Sequence, residues 1–133
     1  KSSDNTHEVE LNIQKSITEK GLIYLMTIEC IGSTEIGLND SAVITFKIDN
    51  EKIELNPNSV ETKTNIDPDL ILEIGNFITD FNFIKKVAYG NKVSIKINGN
   101  RKIIYSHLNL DNKINLQDFI ETFVPLEEQI KSN

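Results

Sequence analysis

The sequence predicts an α+β fold, with a mainly antiparallel sheet of about seven strands, a short helix near residues 80–89 and a C-terminal helix near residues 115–124 packed on one face. Three observations support this class. Several short runs alternate apolar with polar residues, which is typical of strands with one solvated face. One of them, residues 92–98, leads through Asn98-Gly99 into a second β-rich run, which is a strong hairpin signal. The last apolar segment instead repeats with helical spacing.

The first half of the chain is predicted to be an antiparallel meander. Four strand-like runs are separated by turn-forming residues, and they cover residues 9–14, 22–31, 44–48 and 53–55. A polar loop with two glycines, residues 32–41, separates the second run from the third. Pro57 ends the fourth run, because proline cannot donate to a sheet.

Residues 67–90 allow two interpretations. Asp67-Pro68 is a good helix start, and several apolar residues after it fall near helical spacing, which favours one long helix. Gly75 and Asn76 interrupt that helix, and β-branched residues surround them. We therefore favour a strand over Leu70–Ile78, followed by a short helix capped by Thr79 or Asp80 and closed at Gly90.

The closing segment predicts a helix. Asn115 and Asp118 resemble a capping box at its start, and Pro125 stops it. Its apolar residues share one helical face, on which Phe119 is central and is expected to be the anchor: Leu116, Phe119, Ile120 and Phe123.

A chain of 133 residues is one domain by length. We assign residues 10–125 to a single α+β domain, residues 1–9 to a flexible polar leader and residues 126–133 to a charged tail. The leader is similar to the polar segment that follows the lipidated cysteine of bacterial lipoproteins. This resemblance implies a lipid anchor upstream of Lys1 and a place in the bacterial envelope or outside the cell; the alternative is the cytoplasm.

The net charge argues against a nucleic-acid partner, and the hydropathy argues against a membrane-spanning helix. The net charge is −6 and the chain has a single arginine, whereas nucleic-acid binding needs clustered Lys and Arg. No apolar run approaches the ~20 residues of a membrane-spanning helix. An acidic surface is instead compatible with a basic protein partner.

No residue pattern predicts catalysis, a cofactor or a metal site. Cys30 is the only cysteine and shares strand parity with apolar residues, so we expect a buried structural thiol. His7 and His107 have no partner at ligand spacing, and His107, which shares strand parity with Ile103 and Tyr105, is expected to be partly buried. Residues 109–118 alternate oxygen ligands as a calcium loop does, but Lys113 and Ile114 stand where a carboxylate and a glycine are required.

The densest aromatic cluster has two interpretations. Phe77, Phe81, Phe83 and Tyr89 are expected to form hydrophobic core; the alternative is an apolar groove that accepts a small apolar ligand or a partner segment.

These observations favour a non-enzymatic binding or interaction module that is exported or lipid-anchored. One alternative is a small acidic inhibitor or immunity protein that neutralises a basic partner, because complementary charge speeds encounter. Another is a small hydrolase that uses carboxylates, although the acidic residues occur singly along the chain.

Overall fold

The computed structural model describes residues 7–19, 21–64 and 70–123. It confirms the α+β class, with eight antiparallel strands in two sheets and two helices. The strands are β1 His7–Thr18, β2 Gly21–Gly32, β3 Val43–Ile48, β4 Glu51–Leu55, β5 Ser59–Thr64, β6 Ile71–Thr79, β7 Val93–Asn98 and β8 Ile103–His107. The helices are α1 Phe81–Tyr89 and α2 Leu110–Phe123.

The strands form two four-stranded sheets that share one core. The first sheet has the order β1-β2-β6-β5 and the second has the order β4-β3-β7-β8. One continuous cluster of buried side chains contains residues from both sheets, including Met26, Ile28 and Phe77 from the first and Ile44, Phe46 and Ile97 from the second. Each sheet therefore buries its apolar side against the other.

The prediction of a meander in the first half is wrong. The β1–β2 hairpin belongs to the first sheet and the β3–β4 hairpin to the second, so residues 33–42 carry the chain between sheets. The physical reason is that alternation leaves every strand with one apolar side, and stacking two sheets covers both sets at once.

The preferred interpretation of residues 70–90 is confirmed, because β6 is a strand and α1 follows it. Asp80 caps α1, and its carboxylate accepts a hydrogen bond of 2.9 Å from the amide of Phe83. Gly90 ends the helix and donates its amide to the carbonyl of Lys86. The ring of Phe83 then packs edge-on against Phe46, with centroids 5.0 Å apart, which joins α1 to the second sheet.

The predicted β7–β8 hairpin is confirmed, although Asn98 belongs to β7 and not to the turn. The connection spans residues 99–102. Gly99 lies so close to the neighbouring loop that a Cβ would stand 2.3 Å from the carbonyl oxygen of Ile36. The same oxygen accepts hydrogen bonds from the amides of Arg101 and Lys102, at 2.9 and 3.0 Å. A tertiary contact, and not local turn preference, shapes this connection.

Strand β1 begins inside the predicted leader, at His7. His7 is buried, and its Nε2 lies 2.8 Å from the acceptor, the carbonyl oxygen of Thr34. Val9 packs against the core. Residues 7–9 therefore belong to the domain. Residues 1–6 and the predicted tail lie outside the described residues.

Helix α2 begins at Leu110, five residues before the predicted start. Asn109 occupies the capping position, because its Oδ1 accepts a hydrogen bond of 2.8 Å from the amide of Asn112. Asn115, the predicted cap, lies exposed within the helix. The capping-box pattern was a coincidence of spacing.

The predicted anchor of α2 is also wrong. Leu116 and Ile120 are the buried residues, whereas Phe119 is partly buried and touches the ring of Tyr24 edge-on, with centroids 6.4 Å apart. Leu116, Phe119 and Ile120 share one face as predicted, with Phe119 at its margin, and the side chain of Phe123 lies outside the described residues.

The two asparagines give a matched test of where α2 begins. Asn109→Ala should lower the free energy of unfolding by about 1 kcal/mol, because it removes the side chain that caps the helix. Asn115→Ala should change it by less than about 0.5 kcal/mol, since alanine favours an exposed helical position. Urea unfolding of both variants measures the difference; equal losses, or a larger loss for Asn115→Ala, would contradict the observed start.

Candidate interaction surfaces

The single thiol is buried and chemically inert. Cys30 lies on the inward side of β2, directly opposite Glu73 of β6. Burial, together with the negative charge of Glu73, raises the pKa of the thiol to about 12. Because the thiolate is the nucleophilic form, this cysteine does not serve as a nucleophile near neutral pH. The prediction of a structural thiol is confirmed.

Glu73 is a buried carboxylate whose hydrogen bonds hold the loop between the sheets. Its Oε2 accepts the amide of Ile36 at 2.8 Å, and its Oε1 accepts those of Gly37 and Leu38 at 2.9 Å each. Gly37 has φ +81°, a backbone conformation that favours glycine. This arrangement satisfies a charge that would otherwise be costly to bury, so Glu73 is a structural anchor.

Sequence reasoning missed the role of Glu73 and counted it among the single acids. A signal was present, because Glu73 shares strand parity with Gly75 and Phe77 on the inward side of β6. An acid at a core position of a strand requires nearby donors. The sequence does not identify those donors, since they are backbone amides 35 to 37 residues away.

The two histidines lie in different sheets and have different surroundings. His7 is buried on β1, as described above. His107 is exposed on β8, opposite Ser94, so the expectation of partial burial is wrong. Its parity with Ile103 and Tyr105 was recognised correctly, but all three point away from the core.

The calcium-like segment forms the cap and the first turns of α2. Lys113 donates hydrogen bonds of 2.7 Å to the carbonyl oxygens of both Gly90 and Asn91, which ties α2 to the end of α1. In the described ranges, no three His, Cys, Asp or Glu side chains converge on a point where they could hold a metal ion.

The aromatic cluster divides between core and surface. Phe77, Phe81 and Phe83 are buried, as the core interpretation predicts, whereas Tyr89 is 49% exposed. An open groove of about 510 Å³ runs beside α1, and its apolar wall includes Phe83, Ile53, Leu55 and Ile78. Acidic Asp80 and basic Lys86 also line it, so its charges balance and select no class of ligand.

The outward side of the first sheet carries an unusual apolar surface. Strand parity places six aliphatic side chains there, on the two central strands β2 and β6, and we call them the aliphatic stripe: Ile23, Leu25, Ile31, Leu72, Ile74 and Ile78. None of them belongs to the buried core or to the partly buried set that packs against it. Ile78 is 54% exposed, and the other five are half-buried.

Carboxylates lie beside the aliphatic stripe, at paired positions of neighbouring strands. Glu10 of β1 pairs with Glu29 of β2, which pairs with Ile74 of β6, which pairs with Glu61 of β5. We call Glu10 and Glu29 the acidic row; Glu61 already has an interaction partner of its own. Glu8 stands in the adjacent rank, where Lys63 is the position on β5. Directly opposed like charges destabilise a sheet, so the pair Glu10–Glu29 is not explained by folding.

The outward side of the second sheet carries mainly the opposite charge. Its central strands present Lys47 and Lys96, and Lys47 lies directly opposite Lys52 of the edge strand β4. Glu54 of β4 and the exposed Ile103 and Tyr105 of β8 lie on the same side. The two outward sides of the sandwich therefore differ in charge, because the first is acidic and the second is mainly basic.

Comparison of the chain with protein-family models, with curated proteins and with solved structures finds no match. Among the residues that the structure describes, neither helix has the length and apolar character needed to cross a membrane.

The raised pKa of Cys30 gives a pH-dependent stability. Between pH 9.0 and about 12 the folded protein retains a thiol proton that the unfolded chain loses. The free energy of unfolding should therefore fall as pH rises, by up to about 1.4 kcal/mol per pH unit from this group. Urea unfolding at about pH 8 and about pH 10 should show a smaller decline for Cys30→Ala than for the wild type. Equal declines would mean that the thiol ionises as readily in the folded protein as in the unfolded chain.

Proposed function

We propose that this protein is a non-enzymatic binding module and that the aliphatic stripe with its acidic row is its recognition surface. The observation that carries the proposal is the position of the stripe, on the solvent side of the two central strands of the first sheet. A sheet that only needed a solvated outer side would carry polar residues there. Contiguous exposed apolar surface is typical of interaction sites.

The size of the sheet suits a protein partner. Four strands about 4.8 Å apart, each rising about 3.3 Å per residue, give a surface roughly 20 Å by 30 Å over the nine residues of β6. A standard interface buries about 800 Å² on each partner, which is the same order. The open groove beside α1 shares Ile78 with the stripe and extends the apolar surface around the sheet end.

The chemistry-bearing side chains of the interior support a binding role over catalysis. Glu73 already accepts three backbone amides, and Cys30 is held protonated. Of the remaining acids on the outward side of the first sheet, Glu29 and Glu61 lie on the strand surface. Glu10 lines a groove between β1 and α2 whose described lining includes no second carboxylate, whereas a hydrolase of this type needs two carboxylates that face one substrate.

Export and membrane tethering remain part of this proposal. Their support is the polar composition of residues 1–6, the part of the predicted leader that precedes β1. Reading the complete gene tests them directly: a signal peptide with a lipidated cysteine upstream of Lys1 is expected, and an upstream sequence without one would remove this part.

Site-specific photo-crosslinking in the producing cells tests the recognition surface. A benzoylphenylalanine that replaces Ile78 should yield a discrete adduct with a protein partner. The same amino acid in place of Tyr105 is the matched control, because Tyr105 is 49% exposed on the other outward side. No adduct at position 78, or identical adducts at both positions, would contradict the proposal.

A further inference from the structure

We infer that the partner presents a basic, amphipathic protein segment, whose apolar side chains cover the aliphatic stripe and whose Lys or Arg side chains contact the acidic row. This inference rests on the proposed function and specifies its partner chemistry.

The register places negative charge within the apolar surface and not only around it. Glu10 and Glu29 are directly opposed, so their Cβ atoms are about 4.5–5.5 Å apart. Ile74 continues the same rank across β6, and Ile31 and Leu72 stand in the next rank. A ligand that covers these aliphatic side chains must therefore approach the carboxylates, and only a cationic ligand gains by doing so.

Opposed carboxylates also explain why a cation is required and not merely tolerated. The two negative charges repel each other in the free protein, and a Lys or Arg placed between them converts the repulsion into two charge-assisted hydrogen bonds. Glu8, one rank away on β1, adds a third carboxylate on the same side of the sheet. An acidic or neutral apolar ligand would leave the two carboxylates repelling each other and would also remove water from them.

The polarity of the sandwich favours the same partner. Lys47, Lys52 and Lys96 lie on the outward side of the second sheet, opposite in sign to the acidic row. A basic partner is thus attracted by one side of the molecule and repelled by the other, which orients the encounter toward the aliphatic stripe.

A second copy of this chain is a poorer occupant. Two such surfaces facing each other would bring both acidic rows into one interface, with Lys63 as the one lysine position on this side of each described sheet. The basic side of a second copy carries Glu54 as well as its lysines, and its exposed apolar side chains, Ile103 and Tyr105, lie on the single strand β8, so it covers the stripe less completely than an amphipathic segment would. A basic amphipathic segment matches the charge and the apolar area together.

Two synthetic helical peptides with the same leucine pattern test the inference, one with lysine and the other with glutamate at every polar position. Fluorescence titration should show that the lysine peptide binds and the glutamate peptide does not. Binding should weaken at about 1 M salt, where the Debye length is about 3 Å. Equal binding of both peptides, or binding that salt leaves unchanged, would overturn the inference.

Variants locate the binding. The double variant Glu10→Gln/Glu29→Gln should bind the lysine peptide about threefold to tenfold more weakly, the range expected for two exposed ion pairs. Glu54→Gln is the matched control, because Glu54 is exposed on the other outward side, and its affinity should equal that of the wild type. Equal weakening in both would show binding to net charge alone and would overturn the inference.

A further pair of variants separates the two proposals. Ile74→Ser and Ile78→Ser should each lose most binding, with Val43→Ser on the other outward side as control. If these variants bind as tightly as the wild type, the recognition surface itself is wrong. If they lose binding but the glutamine variants do not, the surface stands and the basic partner is wrong. Sedimentation showing a wild-type dimer that Ile74→Ser abolishes would assign the surface to a second copy instead.

The stability of the free protein tests the repulsion between Glu10 and Glu29 without a ligand. Because Glu29 opposes Glu10, Glu29→Gln should raise the urea midpoint of the free protein, whereas Glu54→Gln should leave it unchanged. A midpoint that falls or stays constant would show that the opposed pair carries no repulsion for a partner to relieve.

Discussion

The hydrogen bonds from three consecutive backbone amides to the carboxylate of Glu73 are the interaction on which this fold depends. They hold residues 36–38, in the only connection between β2 and β3, against the first sheet. The same loop offers the carbonyl of Ile36 to the β7–β8 connection of the second sheet. One buried charge thereby fixes a loop that contacts both sheets, and so helps to set how the two sheets stack.

This anchor also determines where function is to be sought. A buried carboxylate beside a cysteine resembles a reactive pair, yet here the carboxylate is occupied by amides and its charge helps to keep the thiol protonated. Both side chains therefore contribute to the stability of the interior. The features that folding does not explain are on the outside of the first sheet, where aliphatic and acidic side chains alternate in register. Departures from local stability rules are expected at functional surfaces.

The sequence predicted local structure well and the arrangement of the sheets poorly. Alternation identified the strands, and the choice between strand and helix at residues 70–78 followed correctly from Gly75 and Asn76. Alternation shows that a strand has one apolar side, but it does not say what covers that side, so a single sheet was predicted in place of two. The same limit explains His107. Its strand parity with Ile103 and Tyr105 was predicted correctly, but that side of β8 faces solvent and not the core. The turn at Gly99 was misjudged because a contact distant in sequence shapes it, whereas the helix start at Asn109 was missed because the capping-box pattern at Asn115 was followed in place of an equally local cap.

The proposed recognition surface could be predicted from the sequence only in part. The net charge of −6 pointed to a basic partner, but a total charge does not show that acids oppose each other on one side and lysines on the other. That information needs the register, because Glu10 and Glu29 are far apart in the chain and become neighbours only when β1 and β2 pair. Residues 22–31 were recognised as unusually apolar, and the structure gives the reason: both sides of β2 carry aliphatic side chains.

Hydrogen exchange at the amides of Ile36 and Leu38 tests the central claim most directly. In Glu73→Gln, an amide group replaces one acceptor oxygen with a donor, so a hydrogen bond to a charged group worth about 1.5–3 kcal/mol is lost. Exchange at these amides should accelerate about tenfold or more relative to the wild type, since 1.36 kcal/mol corresponds to a factor of ten. Glu54→Gln, with an exposed carboxylate on β4, should leave their exchange unchanged. Unchanged protection in Glu73→Gln would contradict the account, because the loop would then be held between the sheets without its buried charge.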